Sequence, residues 1–147
     1  MLPCLFCELD SQIQADLVKE YNYWKVFVCL NASYLGWCLV GLKRHVEDIT
    51  EINEQEQLEL FKILKVLRAA SQKLFKPDRY NYSSLGNEVS HVHIHFIPRY
   101  KTERLWNSVS FRDERWSKNY SPYNKGFLLT PDLKRSIIEA YKQKINE

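Results

Sequence analysis

The chain is poor in several things at once. Glycine is scarce, at 4 of 147 residues. There is no internal repeat and no low-complexity tract, which excludes repeat and compositionally biased architectures. No apolar run approaches the roughly 20 residues of a transmembrane helix, so no membrane span is expected. Met1-Leu2-Pro3-Cys4 has neither a basic nor an apolar leader character, so secretion is not expected. The 4 cysteines do not make a disulfide framework: Cys4 and Cys7 form a C-x-x-C, and Cys29 and Cys38 sit in apolar, strand-like segments. That usage points to a reducing setting, with the cytoplasm as the expected compartment. The net charge of +3 lacks the strongly basic balance of a dedicated nucleic-acid binder, though it suits an anionic ligand.

What remains is an ordinary globular composition: 45% hydrophobic, 27% charged and somewhat aromatic at 14%. A chain of 147 residues is expected to make one domain that buries a real core. Ser11-Gln12-Ile13-Gln14 has a capping-box pattern and predicts a short helix with Ile13, Leu17 and Val18 on one side. Lys25 to Asn31 predicts a strand, and Trp37 to Leu42 its hairpin partner, with Lys43-Arg44-His45 at the exit. Asn53 to Glu56 is a second capping box. Leu60, Phe61, Leu64, Leu67, Ala70, Leu74 and Phe75 then recur at helical spacing, and this long helix ends near Lys76, before Pro77.

Arg79 to Ser84 reads as a strand, Leu85-Gly86-Asn87 as a tight turn, and Glu88 to Ile97 as a strand stopped by Pro98. Residues 99–129 are basic and aromatic, with no clear period. Thr130 caps a last helix with Pro131 in its first position, and Leu133, Ile137, Ile138, Tyr141 and Ile145 form its apolar face. The order of elements predicts an α+β fold, an antiparallel sheet with helices packed on it.

The most informative stretch is His91-Val92-His93-Ile94-His95-Phe96-Ile97. On a strand, alternate residues share a face, so the imidazoles would line up about 6.6 Å apart. Val92, Ile94 and Phe96 would enter the core from the other side. Three readings are open. The histidines are merely hydrogen-bonded; or His-x-His supplies metal ligands; or a neutral imidazole is a nucleophile, its neighbours orienting it and holding substrate charge.

The run His91 to Arg99 is similar to the H-φ-H-φ-H-φ-φ signature of the histidine-triad (HIT) family of nucleotide hydrolases and transferases. Leu85 to Ser90 resembles that family's lead-in. Gly36 to Val46 resembles its strand ending in Lys-x-His, and Cys4-Leu5-Phe6-Cys7 the opening of several members. The resemblance covers about residues 1–100, leaving residues 101–147 as a basic, aromatic segment and C-terminal helix. It implies a HIT-like antiparallel sheet carrying a long helix and a C-terminal helix. It also implies a mechanism. His93 attacks the α-phosphate of a nucleotide, and water hydrolyses the covalent nucleotidyl-histidine to a nucleoside monophosphate. His95 contacts phosphate oxygens, and His91 sits behind. No catalytic magnesium is required in that scheme.

The expected substrate is a purine nucleotide: a dinucleoside polyphosphate, a phosphoramidate or a phosphosulfate. The alternatives are a nucleotide-binding or sensor protein with little turnover, a zinc-dependent hydrolase, and, less favoured, nucleic-acid end processing through the basic tail.

Two residues depart from the family pattern: Asn87 replaces a Gln, and Glu88 stands where Ser or Thr is common. Asn87 keeps the amide on a shorter arm. Glu88 either faces away from a phosphate or acts as an acid with a raised pKa. Asn31 and Asn81 are further candidates for nucleotide contact. In members with this opening the cysteine pair binds zinc with two histidines, which maps onto Cys4, Cys7, His45 and His91 as a structural Cys₂His₂ set. Cys29 and Cys38 read more simply as core residues. Residues 99–127 either stack on a base or pack on the domain or a partner subunit, and packing is preferred. A homodimer is expected by resemblance.

Overall fold

The computed structural model describes residues 4, 6–8 and 14–147. Five strands form one antiparallel sheet: β1 (Leu17–Glu20), β2 (Trp24–Val28), β3 (Cys38–Leu42), β4 (Arg79–Ser83) and β5 (His93–Arg99), in the order β1-β2-β3-β5-β4. Helix α1 (Glu54–Phe75) connects β3 to β4, and helix α2 (Pro131–Ile145) ends the chain. A two-stranded hairpin, β6 (Arg104–Trp106) and β7 (Val109–Phe111), lies in the segment between β5 and α2. This is the expected α+β architecture. No helix among the described residues is long and apolar enough to cross a membrane.

Alternation along the strands sorts the two faces of the sheet. Val26, Val28, Val40, Leu42, Ile94 and Phe96 form one core with Leu60, Ile63, Leu67 and Phe75 of α1 and Ile137, Ile138 and Tyr141 of α2. The residues between them, Phe27, Leu39, Gly41, His93 and His95, point the other way. Their cross-strand registers, Phe27↔Leu39, Leu39↔His95 and Gly41↔His93, put them side by side on the face away from the helices. Helix packing on one face thus leaves the other face for chemistry.

Helix α1 starts as its capping box requires. Asn53 accepts from the Glu56 N–H at 2.9 Å, and Glu56 accepts from the Asn53 N–H at 2.9 Å. It ends at Lys76, which is left-handed with φ 51°. Its buried stripe runs through Ile63, whereas Phe61 is 64% exposed, because Leu60, Ile63, Leu67 and Ala70 already define the core-facing direction. Helix α2 begins as expected, with Thr130 accepting from the Leu133 N–H.

Three expectations change. Of the N-terminal capping box, residues 11–13 lie outside the described residues. Leu17 and Val18, expected on that helix, lie in β1 instead, paired along the free edge of β2. So short a helix is marginal alone, and sheet pairing outweighs its propensity. Pro98 does not stop the histidine strand: β5 continues to Arg99, opposite Arg79. β3 begins only at Cys38, opposite Phe96, so Pro98 has a strand neighbour on one side only, a position that tolerates a missing N–H. At the other end β5 begins at His93, not Glu88. The last of these changes the site.

Candidate active site and metal cluster

His91 stands just outside the strand, in the bent lead-in. It is fully buried. Its Nε2 lies 2.6 Å from the Leu42 carbonyl, so Nε2 carries the proton and donates. Nδ1 is therefore a free lone pair. It faces Cys4 Sγ at 3.2 Å, Cys7 Sγ at 3.5 Å and His45 Nδ1 at 3.1 Å, while Cys7 Sγ is 3.4 Å from His45 Nδ1. All four ligand atoms lie within 4.8 Å of one another. Zinc bonds of about 2.0–2.1 Å to nitrogen and about 2.3 Å to sulfur give tetrahedral edges of about 3.3 Å (N···N) and about 3.6 Å (S···N). The donor set and its spacing fit a Cys₂His₂ zinc site. The Nε2 of His45 turns toward Glu47 at 3.5 Å, the outer-shell carboxylate that orients a histidine ligand.

His93 lies on β5 beside this cluster and is 8% exposed. Its Nδ1 is 2.7 Å from the carbonyl of His91. A carbonyl only accepts, so Nδ1 holds the proton and Nε2 is left with its lone pair. The Phe6 ring lies over both imidazoles, 5.2 Å from His91 and 5.0 Å from His93 by ring centroids. Gly41, opposite His93 in the register, makes room for that ring: a Cβ there would stand 2.5 Å from Phe6 Cδ1. His95 follows two residues on, with its ring 5.1 Å from that of His93. Burial and the neighbouring His93 push its pKa down to about 4.

Both histidines line a cavity of about 470 Å³, within the ordinary range for a small-ligand site. Phe27, Leu39 and Leu30 supply apolar walls, and Trp37, Tyr120 and Tyr123 the aromatic one. Asn87 and Glu88 lie at the cavity with Lys125, and Glu88 forms an exposed ion pair with Lys125. That hydrogen bond and charge lower the Glu88 pKa, so the carboxylate is ionised at neutral pH, contrary to an acid with a raised pKa.

The two remaining asparagines are used by the protein itself. Asn31 is buried: its Nδ2 donates to the Asn124 carbonyl at 2.8 Å, and its Oδ1 accepts from the Ser33 N–H at 2.9 Å. Asn81 does not reach the cavity. On β4 it accepts from Arg99 Nη1 at 2.7 Å. Arg99 is a buried guanidinium that also pairs with buried Asp113 at 2.7 Å and lies over the Tyr34 ring.

The basic, aromatic segment packs largely on itself and on the sheet. Arg79 and Lys101 lie over the Trp116 ring, 4.7 and 5.8 Å from its centroid. Its cavity residues, Tyr120, Tyr123 and Lys125, carry no local signal that would single them out. Trp37 and Phe6 stand out in the sequence only as members of the Gly36–Val46 and Cys4–Cys7 motifs. Cys38 is core, but Cys29 is half-buried and lines the cavity, where burial pushes its thiol up to about 11.

The HIT domain model matches residues 10–102, most of the chain and the whole histidine run. The chain belongs to the HIT family. It is 34% identical over 104 residues to an uncharacterized HIT-like protein of Methanocaldococcus jannaschii, covering 67% of this chain and 80% of that one. It is 26% identical over 123 residues to a bis(5'-adenosyl)-triphosphatase of Saccharomyces cerevisiae, covering 80% of this HIT protein and 59% of the yeast chain. A Zn-bound histidine triad family protein of Mycobacterium smegmatis has the same fold, with a TM-score of 0.65 at 16% identity over 97% of this chain and 93% of that one.

Proposed function

We propose that this HIT protein is a nucleotide hydrolase that works through a covalent intermediate on His93. The observation that carries the reading is the 2.7 Å contact of His93 Nδ1 with the His91 carbonyl. It directs the unprotonated Nε2 to be the atom available for chemistry. In the first step the Nε2 lone pair forms a bond to the α-phosphorus, and the bond from phosphorus to the leaving group breaks. In the second, water attacks the same phosphorus, the P–N bond breaks, and the electron pair returns to Nε2. The products are a nucleoside monophosphate and the protonated leaving group. Splitting one displacement in two and holding the reactants in place are the main contributions of the protein.

The yeast relative's activity supports a dinucleoside polyphosphate as the substrate class. A purine suits the aromatic wall of Trp37, Tyr120 and Tyr123. Asn87 and Lys125 are the candidates for contacts with the phosphates.

The cysteine–histidine cluster is read as a structural zinc site. Four protein ligands close the coordination sphere, and bound zinc would supply rigidity rather than an open catalytic position. His91 joins the two sites: its ring belongs to the cluster, and its carbonyl orients the nucleophile. A homodimer remains part of the reading, to be checked by sedimentation.

The test is a panel of dinucleoside polyphosphates and nucleoside phosphoramidates, run on the wild type and on His93→Ala. A loss of at least about a thousandfold in kcat/KM is expected. An acid-labile nucleotidyl adduct should map to His93 in the wild type by mass spectrometry. Unchanged turnover by His93→Ala on a substrate the wild type cleaves would remove the assignment.

A further inference from the structure

We infer that the indole N–H of Trp37 fixes His95 in its Nε2–H tautomer, so that His95 presents a standing hydrogen-bond donor to the cavity. The use of that donor on a phosphate oxygen rests on the hydrolase reading above; the tautomer itself does not.

Trp37 Nε1 lies 3.2 Å from His95 Nδ1. An indole nitrogen can only donate, so Nδ1 must accept, and the single ring proton of neutral His95 sits on Nε2. Among the described residues Nε2 has no hydrogen-bond partner, and the ring lines the cavity. Trp37 is held in this pose. It is 1% exposed and meets Tyr34, Tyr120 and Tyr123 edge-on, at centroid distances of 5.6, 5.9 and 5.0 Å.

The neighbouring imidazoles therefore carry opposite tautomers. A carbonyl sets His93, leaving a lone pair at Nε2. An indole N–H sets His95, leaving a proton there. The same residue type thus serves as nucleophile and as donor, and the difference lies wholly in the partner behind each ring. A second proton on His95 would have to enter at Nδ1, against the indole hydrogen. Burial and the nearby His93 act in the same direction. The titratable groups facing His95 are His93, Glu88 and Tyr120, and none supplies an acceptor that would hold a proton at Nδ1. Trp37 is thus a positioning residue, acting through His95.

The test replaces the N–H while keeping the shape. Trp37→Phe is the simple variant. Site-specific β-(3-benzothienyl)alanine at position 37 is the isostere that puts sulfur where the N–H was. Both are read by long-range ¹H–¹⁵N spectra of ¹⁵N-histidine-labelled protein without substrate. In the wild type, His95 should show one neutral tautomer, protonated at Nε2, throughout neutral pH. In either variant, the Nδ1–H form should become populated and the His95 titration midpoint should rise toward that of a free histidine. With a cleavable nucleotide, kcat of the benzothienyl protein, which keeps the aromatic wall, should fall on the order of tenfold with KM little changed, as for a weakened charge-stabilising donor.

A pure Nε2–H pattern and an unmoved midpoint in the benzothienyl protein would overturn the proposal, as would an Nδ1–H tautomer in the wild type. The same spectra on His93→Ala separate the two readings. If that variant still turns over substrate, the nucleophile fails while the His95 tautomer stands on its own evidence.

Discussion

Asn81→Ala separates a side chain that holds the buried Arg99 guanidinium from one that binds nucleotide. Arg99 is 2% exposed, and every N–H of its guanidinium has a partner. Nε and Nη2 donate to the Asp113 carboxylate at 2.7 and 3.1 Å, Nη1 to Asn81 at 2.7 Å and to the Lys118 carbonyl at 3.1 Å, and Nη2 also to the Arg115 carbonyl at 2.6 Å. Asp113 in turn accepts from the N–H groups of Tyr100 and Arg115. Removing one side of a buried ion pair strands the other charge, so Asp113→Ala should cost about 3–5 kcal/mol. Asn81→Ala removes one neutral acceptor from a guanidinium that keeps its counter-ion. The cost should be about 1.5–3 kcal/mol, the range for a hydrogen bond to a charged group. Against a total stability of about 5–15 kcal/mol, the second loss leaves a folded protein to assay. Urea unfolding gives the stability change as a fall in midpoint at unchanged slope. Steady-state kinetics on the folded variant should show KM within about twofold of wild type, because the side chain faces Arg99 and not the cavity. Stability within about 0.5 kcal/mol of wild type together with a tenfold rise in KM would refute this account and return Asn81 to the nucleotide.

Gly41→Ala should drive the Phe6 ring off His91 and His93, since the new Cβ would stand 2.5 Å from Phe6 Cδ1. A fall in kcat/KM larger than the loss in stability is expected, and unchanged kinetics would count against a role for Phe6. The pH dependence of stability follows from His95, whose folded pKa of about 4 lies below the ordinary 6.5. Between these values the unfolded chain binds the extra proton. The contribution is full above about pH 6.5, and on the order of 3 kcal/mol is lost as pH falls toward 4. His95→Gln should flatten that limb in urea titrations, and an identical limb would contradict the shift. Metal analysis should find one zinc per chain, lost in Cys4→Ser. Chelation should lower Tm before it lowers activity per folded molecule, whereas immediate loss of turnover at unchanged Tm would make the metal catalytic.

Much of the protein is written locally. The helical period of α1, the Asn53–Glu56 box and the Thr130–Pro131 start follow from interactions within a few residues and appear as expected, except that Ile63 and not Phe61 joins the buried stripe. The alternation of His93 and His95 with Ile94 and Phe96 likewise sets which face of β5 meets the core. The Cys-x-x-Cys pair shows only half of a candidate metal set; the family resemblance added His45 and His91, and the fold gathers all four ligand atoms. What the alternation could not show is that His91 leaves the row. Its ring is drawn to the Leu42 carbonyl and the cysteines, 49 and up to 87 residues away in the chain. The partners of Asn81 and Glu88, Arg99 and Lys125, likewise sit on other segments, so no local pattern shows them.

Periodicity reports the side of an element on which a residue lies, because side-chain direction is fixed by the backbone. It carries no information on what packs behind that side chain. Sequence alone therefore determined that histidines stand together on the open face of a sheet. Only the tertiary structure decided which nitrogen of each ring bears the proton, because the deciding partners are a neighbouring carbonyl for His93 and an indole 58 residues distant for His95.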